Sequence, residues 1–309
     1  MRKAKPFVVM THPIHLRMVA QFLKPHARVF LAKNRSQLLA SIPRADALLC
    51  YLSDEIDQRL LERATRLRVI GNFAVGVNNI DLRACATRGV RVVNTPRVLT
   101  EATAELALAL LLAVARRVPE GEKLCRTGGF RGWDPGLLLG LQLRGRTAVL
   151  VGRGRIGRAT GALFQRMGLK ISWIVSTDSR TAIDRKLRRA QILSLHVPLT
   201  PTTRHWLDRR KLSLLPSDAI VLNTSRGAAI DEKALIEVLK QKKIFGAGLD
   251  VFEHEPAIPA SLRRLSNVVL LPHVGSATLE TRAEMAQIMI EGVLSILNGG
   301  RPWNEVSLS

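Results

Sequence analysis

TAVLVGRGRIGRATGALFQRM, residues 147–167, runs an apolar strand into a turn with glycines at 152, 154 and 157, then out into a helical pattern carrying Ile156, Leu163, Phe164 and Met167 at core spacing. Glycine at these three positions between a strand and a helix has a physical logic. The first permits a tight turn, the second lets a pyrophosphate approach the backbone, and the third allows close helix–strand packing. The free N–H groups at the start of the helix then face the phosphates. Gly152, Gly154, Arg155, Ile156 and Gly157 are therefore the first candidate dinucleotide contacts.

Downstream, further apolar runs bounded by turns follow at 170–175, 191–197, 219–224, 246–251 and 267–273. Upstream, FVVM (7–10), ARVFLA (27–32), ALLCYL (47–52), RVIGNF (68–73) and RVVNT (91–95) form a separate series, with helix-like segments such as SQLLASI and DQRLLERAT between them. Strands alternating with helices predict parallel α/β sheets. Both series together are too many strands for one open sheet, which rarely exceeds about ten, so two domains are expected. Long helical patterns at 101–118 and 278–297 flank the second series and read as the connections between domains. The expected division is 1–98 with 284–309 as one domain and 99–283 as the dinucleotide-binding domain.

In such a domain the second strand usually ends in an acid that holds the ribose hydroxyls of NAD. KISWIV ends at Val175 and is followed by Ser176, Thr177, Asp178, Ser179 and Arg180. Hydroxyls with a nearby arginine suit a 2′-phosphate, so Ser176, Thr177 and Arg180 point to NADP, while Asp178 keeps NAD open.

Ligands collect beyond the carboxyl ends of parallel strands, and His196, Arg226, Asp250 and His273 all fall at such ends in the second series. A nicotinamide enzyme acting on a 2-oxo acid needs a cation for the substrate, a proton donor for the carbonyl oxygen and a carboxylate to orient the donor. Arg226, His273 and Glu255 can fill those posts, Glu255 fixing the imidazole's tautomer and favouring its protonated form.

Lys plus Arg number 47 against 25 for Asp plus Glu, a formal net charge of +22. That balance favours anionic ligands or polyanionic partners. The basic residues are scattered in pairs and triples, however, and 4% aromatic content leaves little for base stacking. Nucleic acid is thus not the expected partner. Cys50, Cys85 and Cys125 have no metal-ligand or paired spacing, which fits a reducing, cytoplasmic setting. No run approaches the roughly 18 apolar residues of a membrane span, and no metal is expected.

Taken together, NFAVGVNNID (72–81), NTPRVLTEATAELALALLLAVARR (94–117), VGRGRIG (151–157), HVPLT (196–200), LNTSRGAAIDEKAL (222–235), GAGLDVFEHEP (246–256) and LPHVGSAT (271–278) resemble the D-isomer-specific 2-hydroxyacid dehydrogenases over essentially the whole chain. The resemblance implies two Rossmann-like α/β domains, each a parallel sheet flanked by helices: a flavodoxin-like substrate domain and an NAD(P)-binding domain. It implies a catalytic trio of Arg226, Glu255 and His273. It puts Thr103, His196, Pro198, Thr224, Ser225, Asp250 and Gly275 on the cofactor, and the backbone of Val75 and Gly76 on the substrate carboxylate.

The segment FRGWDPGLLLG (130–140) looks most like the glyoxylate and hydroxypyruvate reductases. In that group a tryptophan placed like Trp133 reaches the partner's active site in a homodimer and touches substrate. The implied activity is NAD(P)H-dependent reduction of a small anionic 2-oxo acid. Asn78 and Ala74 replace the Asp and Gly common in the family. Between Arg180 and Gln191 the chain is about a dozen residues shorter than the family pattern, which predicts a truncated helix and loop beside the adenosine pocket. The competing readings are a dinucleotide-sensing corepressor of the same fold, which would not need the full trio, and a basic nucleic-acid-binding protein.

Overall fold

The structure is a computed structural model and describes residues 4–307. In chain order the first elements are β1 (Phe7–Met10), α1 (Leu16–Met18), β2 (Arg28–Leu31), α2 (Arg35–Ser41), β3 (Ala47–Cys50), α3 (Gln58–Arg63), β4 (Val69–Asn72), α4 (Leu82–Thr87) and β5 (Arg91–Val93). Then come α5 (Thr100–Ala115), α6 (Val118–Arg126), β6 (Thr147–Val151), α7 (Arg155–Arg166), β7 (Lys170–Ile174), α8 (Arg180–Leu187), β8 (Ile192–Leu195) and α9 (Arg209–Leu212). The chain closes with β9 (Ile220–Asn223), α10 (Glu232–Lys240), β10 (Gly246–Leu249), α11 (Ala260–Arg263), β11 (Val268–Leu270) and α12 (Leu279–Leu297). Each of the eleven apolar runs picked out in the sequence contains one strand.

Two compact units result: Met1–Leu99 with Ala277–Ser309, and Thr100–Ser276. The seam falls at 276/277, ahead of the last helix, whereas the sequence reading put it at 283/284, inside what is one continuous helix. Neither long helix is a free-standing connection. Helix α12 packs on β4 and β5 of the first unit, and α5 packs on β9, β10 and α7 of the second. The expected 101–118 helix stops at Ala115 because Arg117 takes a left-handed backbone (φ 53°) before α6 begins.

The first unit holds an all-parallel sheet in the order β2-β1-β3-β4-β5. Met285, Met289 and Val293 of α12 join the apolar cluster that includes Val8, Leu49 and Val69, while Leu60, Leu61 and Cys85 belong to the cluster containing Leu48 and Ile70. Strands β3 and β4 are accordingly buried along their whole length, as expected for a parallel sheet covered on both faces. Polar side chains mark the helix starts: Asp57 accepts from Leu60 N–H at 2.8 Å, Asp81 from Ala84 at 2.9 Å and Thr278 from Thr281 at 3.1 Å.

The second unit has a six-stranded parallel sheet, β11-β10-β9-β8-β6-β7. Renumbered from β6, this is 2-1-3-4-5-6, with the strand order reversing between β6 and β8, where ligands bind in open α/β sheets. A dinucleotide sheet of order 3-2-1-4-5-6 has one more strand outside the second; here β7 is the edge. Helix α8 is capped by Ser179 and leads within four residues to β8; no strand lies outside β7 among the described residues.

Candidate active site

The carboxyl ends of β9, β10 and β11 feed the loops that carry Arg226, Glu255 and His273. His273 has a left-handed backbone (φ 55°), and its N–H donates to the Asp250 carbonyl at 2.8 Å. That turn swings the imidazole so that Nδ1 lies 2.8 Å from Glu255 Oε2. The other Glu255 oxygen accepts the Phe252 N–H at 3.0 Å. Burial would raise the Glu255 pKa, but the hydrogen bond and charge of His273, the Phe252 N–H and the charge of Arg226 outweigh it and hold the group below its ordinary value. Nδ1 faces a carboxylate, so Nε2 is the atom left to exchange a proton. Burial pulls the Arg226 pKa down while the Glu255 charge pulls the other way; the guanidinium stays charged and Nη1 donates to the Ser225 carbonyl at 2.7 Å.

Asp250 is 1% exposed. Its carboxylate oxygens accept the N–H groups of Val274 and Gly275, both at 2.8 Å, and burial raises its pKa against those bonds. Thr103 Oγ1 donates to the Gly275 carbonyl at 3.1 Å. Asp250, Thr103 and Gly275 thus form one buried knot under the His273 turn, and Asp250 gains a task in orienting the imidazole beyond the cofactor contact expected of it.

The turn after β6 fits a dinucleotide on its own geometry. A Cβ at Gly152 (φ 95°) would come within 2.5 Å of the His196 carbonyl oxygen, and one at Gly157 within 2.2 Å of the Gly152 oxygen, whereas one at Gly154 would meet nothing within 4 Å. The outer two glycines let the turn and helix close on each other; the middle one faces open space where phosphates can approach. Helix α7 starts there without a side-chain cap, leaving its first N–H groups for an anion. Arg155 is exposed, Ile156 half-buried and Pro198 exposed in the loop after β8.

His196 forms part of the floor beneath this turn. Its Nε2 sits 2.8 Å from Ser194 Oγ, its Nδ1 is buried with no partner among the described residues, and burial lowers its pKa to about 4. Thr224 likewise keeps Oγ1 buried without a partner, while Ser225 Oγ donates to Asn223 Oδ1 at 2.8 Å. Ser176, Thr177 and Arg180 are exposed beyond β7. Asp178 is engaged by its own turn: it accepts the Val175 N–H at 2.9 Å and the Lys186 ammonium at 2.8 Å, which hold its pKa below the usual carboxylate value.

Three asparagines escaped the sequence reading. Asn223, at the end of β9, accepts from the Ser225 N–H at 3.0 Å and donates to the Arg226 carbonyl at 2.9 Å, folding the arginine turn back on its strand. In the first unit, Asn72 at the end of β4 donates to the Gly76 carbonyl at 2.8 Å and Asn94 to the Val75 carbonyl at 2.7 Å. These bonds fix the orientation of the Val75 and Gly76 peptides. The available signal was an amide interrupting the end of an apolar run. Trp133, in the second unit, is 86% exposed. Among the described residues no His, Cys, Asp or Glu cluster suits a metal, and no helix is long and apolar enough to cross a membrane.

Comparison with known proteins bears on this geometry. The profile of the D-isomer specific 2-hydroxyacid dehydrogenase NAD binding domain matches residues 108–275. The chain is 43% identical over 290 residues to the glyoxylate reductase of Thermococcus litoralis, covering 89% of this chain and 88% of that one. It is also 43% identical over 286 residues to the glyoxylate reductase of Aeropyrum pernix, with 87% and 85% covered. Among solved structures, the TT0316 protein of Thermus thermophilus superposes with a TM-score of 0.92 at 40% identity, over 97% of this chain and all of that one (100%). The NADPH-dependent glyoxylate/hydroxypyruvate reductase of Sinorhizobium meliloti, solved with NADP and malonate, gives 0.89 at 30% identity over 99% and 98%. The chain belongs to the D-isomer specific 2-hydroxyacid dehydrogenase family, as an NAD(P)-dependent α/β oxidoreductase.

Proposed function

We propose that this protein reduces glyoxylate, and hydroxypyruvate beside it, to the corresponding 2-hydroxy acid with NADPH. The observation that carries the reading is the His273–Glu255 pair at 2.8 Å, with Nε2 left to face a substrate. A nicotinamide dinucleotide held over the turn at Gly152–Gly157 would supply the hydride for the carbonyl carbon. Arg226 engages the carboxylate and polarises the carbonyl. As the oxygen gathers charge, His273 passes it the Nε2 proton, and Glu255 stabilises the imidazolium beforehand and fixes the ring's direction.

The dinucleotide is held over the turn at 152–157, and Ser176, Thr177 and Arg180 take its 2′-phosphate. This cofactor preference is supported by the occupation of Asp178 by Lys186. Two copies associate through the segment at 130–140, a reading supported by the exposure of Phe130, Trp133 and Leu139. The free buried thiols of Cys50 and Cys85 fit a reducing cytoplasm.

The test is oxidation of NADPH and of NADH by purified protein with glyoxylate, hydroxypyruvate and pyruvate in turn. Turnover with glyoxylate and NADPH ahead of the other pairs is the expected result. Folded protein inert with every pair would reject the reading.

A further inference from the structure

A second set of ionisable side chains lies behind the trio, in the same unit. His205 has a left-handed backbone (φ 49°), a conformation that is strained for a non-glycine residue and persists only when its surroundings enforce it. Two contacts enforce it here. The His205 N–H donates to the Ala228 carbonyl at 2.7 Å, and its ring Nε2 lies 2.6 Å from Glu253 Oε1. Arg204 reaches the same oxygen at 3.2 Å. The Glu253 N–H in turn donates to the buried carboxylate of Glu232 at 3.3 Å, and Glu232 is the first residue of α10, just beyond the arginine turn.

Three segments are joined in this way: 204–207, 226–232 and 250–255. The joint is tight, since a Cβ at Gly227 would fall 1.9 Å from the Phe252 carbonyl carbon and 2.5 Å from the Glu253 nitrogen. Gly227 follows Arg226, and Glu253 stands two residues before Glu255. We infer that His205 and Glu253 are positioning residues, forming a clamp that sets the arginine turn against the Glu255 loop and so fixes where Arg226 and the His273–Glu255 pair stand relative to each other. Neither touches the reacting atoms. The energetic logic is preorganisation: a misplacement of about 1 Å between reacting groups can cost on the order of a hundredfold in rate.

This inference rests on the proposed function for its kinetic arm and carries a second arm that does not. The variants are His205→Ala, Glu253→Gln and His205→Gln, the last keeping an amide donor that can reach Glu253. With glyoxylate, His205→Ala and Glu253→Gln are expected to lower kcat/KM by roughly tenfold or more, with NADPH dissociation constants within about twofold of the wild type. His205→Gln is expected to recover most of the loss.

The second arm follows the Glu255 carboxyl by carbon NMR. Its pKa, held low by His273 and Arg226, should rise toward the ordinary glutamate value in His205→Ala and return in His205→Gln. The clamp is overturned if the two damaging variants keep wild-type kcat/KM, if activity and NADPH affinity fall in step with Tm and His205→Gln does not rescue, or if the Glu255 titration is unmoved. A wild-type protein inert toward all three 2-oxo acids would reject the proposed function alone; the NMR titration would still decide the clamp.

Discussion

On the proposed mechanism His273 and Glu255 divide one task, so their replacements should fail differently from those of residues that only build the site. His273→Asn is expected to cut turnover by roughly the 10²–10⁴-fold typical of a lost general acid while leaving NADPH affinity nearly intact; steady-state kinetics with a fluorescence titration of NADPH checks both halves. On the same mechanism Arg226→Ala should raise the KM for glyoxylate as well as slow turnover, because the proposed role has its charge meeting the substrate in the ground state too. His196 makes a pH prediction. Its folded pKa is depressed from 6.5 to about 4 by burial, so as pH falls below 6.5 the unfolded chain takes up a proton that the native chain refuses. The native state therefore loses up to about 3 kcal/mol across that window. His196→Gln, which keeps an amide near Ser194, should flatten the fall in urea midpoint between pH 7 and 4.5; an unchanged slope would show that the ring titrates freely. At this scale Arg226 and His273 stood out as candidates because a charged residue just past an apolar strand is conspicuous in sequence. His205 and Glu253 did not, since their contact spans 48 positions and nothing local in either segment announces it.

The glycine turn and α7 show how one element can carry two separable demands. Gly157→Ala puts a methyl 2.2 Å from the Gly152 oxygen, so it should destabilise the fold by the roughly 1–3 kcal/mol typical of overpacking and lower Tm accordingly. Gly154→Ala meets no atom of the chain; it should leave Tm near wild type and weaken dinucleotide binding by crowding the phosphates. Calorimetry paired with an NADPH titration separates the two, and equal effects of both substitutions on Tm and on affinity would count against this division. Strand positions were readable from the sequence because β3, β4, β8, β9 and β10 are buried on both faces, and continuous apolar runs are the mark of that setting. Ownership of the long helices was not readable. The apolar surface of α5 says that something covers it, and only packing shows that β9, β10 and α7 do so.

For the whole molecule, the exposed apolar side chains of the segment at 130–140 lead to a prediction about assembly. Trp133 is 86% exposed and Leu139 67%, surface that a partner would remove from water at about 25 cal/mol per Å². Trp133→Ser combined with Leu139→Ser is expected to shift the mass measured by light scattering from dimer toward monomer. A wild type already monomeric at assay concentrations would reject the proposed association. Sequence alone gave the number of domains and their interleaving in the chain, because the two series of strands and the long helical patterns between them are visible as periodicity. The order of strands lay beyond it, since periodicity carries no information on which neighbour a strand chooses. The sheet margin at β7 has a consequence for how this architecture tolerates change. Among the described residues only β6 pairs with β7, and the switch point at β6 and β8 lies one strand further in, so a further strand could pair outside β7 without rebuilding the middle. Lengthening the connection at 188–191, between α8 and β8, should cost little, since doubling a loop adds only about 0.6 kcal/mol, and a grafted segment that pairs with β7 would be recognised by slowed hydrogen exchange along 170–174. The margin of a parallel sheet, so viewed, is where this fold can gain length while the loops after β9, β10 and β11 are left undisturbed.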